Sequence, residues 1–494
     1  MRWMPFIVTI LGALLIFSCI GCSDEKNKVD SDSISIADKD ASVDYDNAVD
    51  EEVEDNDFND ETKDLDEDFP DEDSDSVAQY ASCYDEIPDE PYGGLFADPN
   101  LEQQIKSKLG IGDDEELKES DLEQITDLYV RQIKDFRGLE KLVNLEKFGF
   151  SVGGNIYDFT PLSGLKKIKK FTIFYNDLND FDNMNCLDGS FSKLTSIEEL
   201  EINGTELKDV SPIEQLTNLK ILDISENQIE FLPENMGNLQ KLEELYLTYN
   251  NIEDITPLNK LTNLTVLFFH YNKVTDISAI ENMEKLIRFG CADNKITDIS
   301  IIVSLTNLEM LIADQNQIME IPEKIGNLKK LKTINISYNN ISNLPSLAGL
   351  YSLQTLYLGN NEISDMTPLD SLENLEVLSI PWNKITKVPI LKNLKSLETL
   401  WLALNEITDL SGFSDNDSFP VLKKVDLNYN KIENAEPLRK REGMGSLSIR
   451  ENCIKDLSPL EELKESGCSI SGMDEQLERC EDTMLTLAGE MKWK

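Results

Sequence analysis

Histidine is almost missing from these 494 residues: His270 is the only one. One imidazole cannot build a histidine metal site, and the one C-x-x-C, Cys19-Ile20-Gly21-Cys22, lies in the N-terminal apolar segment. Neither a G-x-S-x-G elbow nor a phosphate-cradling glycine loop occurs. Basic residues are few, with 46 Lys and Arg against 94 Asp and Glu and a formal charge of −48. Nucleic acid is therefore disfavoured, because a phosphate backbone needs a basic footprint. Glycine is absent from residue 23 to residue 92, and a calcium loop needs one for its sharp turn. The chain is read as a non-enzyme without cofactor, metal or catalytic residue.

Long apolar runs are also missing, save one at the start. Residues 1–22, MRWMPFIVTILGALLIFSCIGC, combine Arg2 with an apolar core from Phe6 to Phe17. That run is too short for an ordinary membrane-spanning helix and has the form of a secretory signal. Its ending, Ile20-Gly21-Cys22, resembles the lipobox of bacterial lipoproteins, although Cys19 stands where Leu is usual. The resemblance implies lipidation at Cys22, export, and anchoring to a bacterial membrane, at the outer membrane or cell surface. Plain cleavage and secretion is the alternative, and Cys19 a poorer second acceptor. Residues 23–91 form an acidic tether expected to be disordered. From 23 to 90 there are 28 Asp and Glu against four Lys, half of the whole charge. Such a segment has too few apolar residues to offset its ordering entropy.

What is abundant is one phrase. Leu222-Ile224-Asn227-Ile229 returns as Leu245-Leu247-Asn250-Ile252, Leu267-Phe269-Asn272-Val274 and Phe289-Cys291-Asn294-Ile296. The asparagines step by 23, 22 and 22 residues. A fixed period of this size denotes a stacked array, and the phrase is the leucine-rich-repeat pattern. Alternating apolar residues make a short strand with one buried face. Each coil buries its apolar residues only by stacking on neighbours. Asparagine carries donors and an acceptor, so it can satisfy backbone groups where the chain bends. Regular coils continue through Asn316, Asn339, Asn361, Asn383, Asn405, Asn430 and Asn452, about fifteen coils in all from residue 125. Outer segments such as Asp-Ile-Thr-Pro-Leu (254–258) are too short for long helices and are expected to form 3-10 turns.

Before the coils, residues 92–124 carry helical signals: Asp98 as N-cap, Pro99 after it, Leu101, Ile105 and Leu109 on one face, Gly110 at the end. This helix, with its F-x-D-P-N-L phrase and the short outer segments, resembles the N-terminal cap and coils of internalin-type bacterial proteins. The expected fold is an α/β repeat solenoid, a curved horseshoe with a parallel sheet on the concave face. The expected domains are 92–124 as cap, 125–452 as repeats and 453–494 as C-terminal cap. Cys453, Cys468 and Cys480 allow three single pairings. Cys453–Cys480 is favoured, since it would bind the terminal segment across the last coil. Cys291 occupies a core Leu position; Cys83 and Cys186 have no assigned role.

The remaining surface is the concave one. Between the paired apolar residues stand Tyr246, Phe268, Ile312, Tyr357 and Trp401. Just before the asparagines stand Tyr175, Tyr249, Tyr271, Tyr338, Trp382 and Tyr429. The core does not need these aromatics. They suit strands in any case, but exposed aromatics also anchor interfaces. Partner contacts are expected at Tyr246, Tyr249, Phe268, His270, Tyr271, Tyr338, Tyr357, Trp382 and Trp401. Acidic residues such as Asp223, Asp314 and Asp426 suggest a partner with some positive charge. Internalins bind host receptors on this face, so the resemblance implies a protein ligand and a monomeric binder. An envelope component binding polysaccharide, or a regulatory subunit of an enzyme, are the other readings.

Overall fold

In a computed structural model, the described residues are 93–477 except 134, 152–157, 175–186, 188, 416, 440 and 442. Cys22, the acidic tether, Cys83, Tyr175, Cys186 and Cys480 lie outside them. Sixteen strands follow one another in a single parallel sheet, each paired only with its sequence neighbours. This ladder is what a coil of 22 or so residues produces when each turn stacks on the last. The first four strands, β1 (Asp127–Arg131), β2 (Lys147–Ser151), β3 (Lys170–Phe174) and β4 (Glu199–Asn203), have five residues each. From β5 (Ile221–Asp223) onward each has three. The sequence count of about fifteen coils falls one short. The missed coil is closed by β16 (Ser469–Ser471), inside the segment taken as a C-terminal cap.

The core runs the length of the array. Its first coils pack phenylalanines edge to face, with Phe159 and Phe191 centroids 4.9 Å apart and Phe136 and Phe150 5.0 Å apart. Later coils use Leu and Ile columns that are fully buried. Short 3-10 turns form the opposite side. Their starts are set by aspartates: Asp254, Asp276 and Asp298 each accept, through Oδ1, the N–H of the residue two positions on, at 2.7, 2.7 and 2.6 Å. A side-chain acceptor there occupies a donor that no helix turn would satisfy.

The asparagines form a buried ladder. Asn250 donates to Ile224 O of the preceding coil at 3.0 Å and to Leu247 O of its own at 3.1 Å, while its Oδ1 accepts Ile229 N–H at 3.0 Å. Asn294 repeats the set with Phe269 O, Cys291 O and Val274 N–H. At the last coil Gln476 takes over, donating to Ile449 O and accepting from Ile454 N–H. The residue before each asparagine is left-handed though not glycine: φ is 55° at Tyr249, 53° at Tyr271 and 51° at Asp293. Such a residue costs about 1–2 kcal/mol. It reverses the chain just enough to swing the asparagine inward while its own N–H still pairs with the next coil, as Tyr249 N–H does with His270 O at 2.9 Å.

The first strand's edge is covered. Helix α1 (Pro99–Leu109) is capped by Asp98, whose Oδ1 accepts Asn100 N–H at 2.8 Å, and buries Leu101 and Ile105. Gln104 pairs with both Arg131 N–H (2.9 Å) and Arg131 O (2.8 Å), and Asn100 donates to Gln132 O (3.0 Å). Amide side chains thus occupy an edge that would otherwise template another strand. A short α2 (Glu119–Leu122) completes the N-terminal cap, and α3 (Ser458–Glu465) packs its Leu460 and Leu463 into the last coil.

Candidate functional site: the exposed face of the sheet

One face of the ladder is core, so alternate side chains necessarily stand on the other. Register decides which of them touch. Strands β6 (Glu244–Tyr246), β7 (Val266–Phe268) and β8 (Arg288–Gly290) place Tyr246 beside Phe268 and Phe268 beside Gly290. The Tyr246 and Phe268 rings meet edge to face at 5.8 Å. Tyr246 Oη donates to Glu244 Oε2 at 2.6 Å, and burial together with that carboxylate raises its pKa. At the left-handed positions Tyr249 and Tyr271 stack in parallel, centroids 4.2 Å apart and planes 5° apart. The distance is close to the strand spacing of about 4.8 Å, so equivalent residues of adjacent coils are already in stacking range. These two pairs of rings are half-buried on the same adjacent coils.

His270 does not join them as an exposed contact. It follows β7 rather than lying within it, and only 8% of its surface is exposed. Its Nδ1 accepts the Ala292 N–H at 3.0 Å, and its ring leans on Phe268, centroids 5.2 Å apart. Burial lowers its pKa to about 4, so the ring is neutral at pH 7. The column that holds His270 is filled elsewhere by Thr248, Ala292 and Ala403, all buried, and by the half-buried Asp314 and Ser337. Alternation of apolar residues could not reveal this.

The other expected residues are on the face but are not gathered. Tyr357 and Trp401 share a column with Ser379 between them. Tyr338 is 53% exposed. Trp382 is half-buried two coils further along. Between Phe268 and Tyr357 the column holds Gly290, Ile312 and Asn335. Asp223 and Asp426 are occupied, since their Oδ1 atoms accept Ser225 N–H at 3.1 Å and Asn428 N–H at 2.9 Å. Asp314 differs. Burial pushes its carboxyl up to about 6, neighbouring Asp293 adds to the rise, and neither is in an ion pair among the described residues. Burial raises the Asp293 carboxyl too. Sequence reading passed over Asp293, whose only signal was its place just before a ladder asparagine.

Family profiles cover most of this array. One for a leucine-rich repeat region matches residues 288–412, one for two copies of the repeat 240–282, and a third for the repeat 209–252. A profile for the leucine-rich-repeat domain of the endo-β-N-acetylglucosaminidase EndoS matches residues 96–227. The chain is a leucine-rich-repeat protein. Its structural neighbours are internalin-like. A crystal structure of an internalin from Listeria monocytogenes is 29% identical, with a TM-score of 0.56, over 72% of this chain and 95% of that one. A leucine-rich-repeat protein of Leptospira interrogans is 23% identical, with a TM-score of 0.59, over 72% and 97%. The functional domain of a second L. monocytogenes internalin, described as including a cysteine ladder, is 22% identical, with a TM-score of 0.60, over 75% and 77%. No curated protein matches the chain. Leucine-rich-repeat proteins are in general non-enzymatic binding scaffolds. Among the described residues no group of three metal-ligating side chains occurs, and no helix is long and apolar enough to cross a membrane.

Proposed function

We propose that this leucine-rich-repeat protein is exported, lipid-anchored at Cys22, and binds a protein partner on the exposed face of its sheet. The observation that carries the reading is the Tyr246–Phe268 and Tyr249–Tyr271 patch. It comprises two pairs of half-buried aromatic rings, each pair in contact, that no core requires. Such rings offer large contact area with few rotors to freeze, and they dominate interface hot spots. Polysaccharide on this face is a weaker reading, because Tyr249 and Tyr271 spend one ring face each on one another. Asp293 and Asp314, in no ion pair among the described residues, favour a partner with basic groups, and an on-rate that falls with salt.

The test is capture of a partner with the mature protein, then affinity measurements on Tyr246→Ala, Phe268→Ala and Trp401→Ala, singly and together. Loss of a buried ring is expected to act on the off-rate. Wild-type affinity in all folded variants would move the interaction to the outer side or the tether. Mass spectrometry of the mature N-terminus checks the anchor: an unmodified terminus at another residue would refute it.

A further inference from the structure

Along the flank where chain enters the strands, two rails of polar side chains run from coil to coil. In the first, asparagine and lysine alternate. Asn218 donates to Thr195 O of the preceding coil at 2.7 Å, and its Oδ1 accepts the Lys241 ammonium of the next at 2.6 Å. Asn263 with Lys285 and Asn307 with Lys330 repeat the rung at 2.7 Å each. In the second, opposite charges pair in places, as in Lys220–Glu198 and Lys332–Glu309, both at 2.7 Å, with Thr265 and Ile287 between them.

Neither rail has a lysine over the three coils of Ser352 and Gln354, Asn374 and Glu376, and Ser396 and Glu398. Asn374 still donates to Tyr351 O at 2.7 Å, but the next rung is Ser396, whose hydroxyl cannot span to it as an ammonium does. The Asn374 Oδ1 therefore has no partner among the described residues. In the second rail Glu376 stands between Gln354 and Glu398, and Gln354 Nε2 at 3.1 Å is its side chain's one hydrogen bond among the described residues. Here the surface sinks into a shallow depression of about 300 Å³, lined by Lys332, Tyr351, Ser352, Gln354, Asn374, Glu376 and Ser396. Tyr351 is 67% exposed at its rim.

We propose that this depression is a glycan-binding site, separate from the sheet face, that takes one pyranose unit of an uncharged saccharide. An exposed aromatic face suits the polarised C–H face of a sugar ring. The rest of the lining offers what hydroxyls need: an amide oxygen without a partner among the described residues, a carboxylate and two serine hydroxyls. A concave site with one apolar wall and a few convergent polar groups is the usual form of a small-ligand site. The one lysine in the lining, Lys332, is turned to Glu309 at 2.7 Å, and no lysine stands on the Asn374 rung.

The test titrates maltotriose, cellotriose, chitotriose and mannotriose, at millimolar concentration, into the mature protein by saturation-transfer NMR and calorimetry. At least one is expected to bind. Tyr351→Phe keeps the ring and should bind as wild type, whereas Tyr351→Ala should weaken binding by about tenfold or more. Ser396→Lys rebuilds the rung onto Asn374, as Lys241 does on Asn218. It should abolish binding without lowering the melting temperature. The proposal is overturned if none of the four sugars binds the wild type, or if Tyr351→Ala and Ser396→Lys bind them unchanged.

Discussion

Asn272 Oδ1 accepts the backbone N–H of Ile252, 2.9 Å away in the preceding coil. Its Nδ2 donates to Leu247 O, Phe269 O and His270 O at 2.9, 3.1 and 3.2 Å. One buried side chain thus satisfies four backbone groups in two coils. Leucine would fill the volume but strand those groups, at about 1–3 kcal/mol for each one lost. Asn272→Leu is expected to lower the urea midpoint strongly, and Asn272→Asp, which keeps the acceptor alone, less so. Equal midpoints would be incompatible with the ladder.

His270 makes stability depend on pH. An unfolded histidine titrates near 6.5 and this one at about 4. Between those values the unfolded chain binds a proton that the folded one refuses, so stability falls as pH drops through that window. The total is about 3 kcal/mol, and no more is lost below both values. His270→Gln, whose amide oxygen can still accept Ala292 N–H, should remove this slope. Subtracting its pH–stability curve from that of wild type isolates the effect.

Asp314 acts with the opposite sign. Its folded pKa is raised to about 6, so the folded state keeps a proton that the unfolded state releases, and stability falls as pH rises to that value. Asp314→Asn is expected to stabilise the protein at pH 8 by about 1–2 kcal/mol, reduced from the full shift because the carboxyl reaches water. The gain should vanish below about pH 4. The same variant should bind a basic partner less well, a trade of function for stability. Denaturation at the two pH values and an affinity measurement check both parts.

Gly290 is where two rings lie down on the sheet. A Cβ there would stand 2.8 Å from Phe268 Cδ1 and closer still to the His270 ring. Gly290→Ala is expected to cost about 1–3 kcal/mol by forcing those rings aside. Gly164, with open space around its Cβ direction, is the control, and its alanine variant should be neutral. Thermal melts of the two variants decide it.

Cys453 is buried and disulfide-bonded, whereas Cys468 and Cys291 are free buried thiols. We expect non-reducing peptide mapping to find Cys480 as the partner. Cys453→Ser should then cost about 3–4 kcal/mol through the entropy of the unfolded chain. Recovery of Cys453 joined to another cysteine would relocate the bridge.

The amino-acid sequence by itself determined the repeat, its period and its core. Leu245, Leu247 and Asn250 have no other reading, because alternation dictates a strand face and a bend needs a side chain that both donates and accepts. It also showed that α1 would cap the array, from Asp98, Pro99 and Gly110. What it could not decide was adjacency. Whether Tyr249 stacks on Tyr271, while Tyr357 is kept from Trp401 by Ser379, depends on how coils lie in register. Burial of His270 depends on the next coil, whose Ala292 N–H it accepts. Asn374 and Ser396 carry no local signal at all. Their meaning comes from the rungs before them, which meet only when 22 or 23 residues of chain have returned to within one strand spacing.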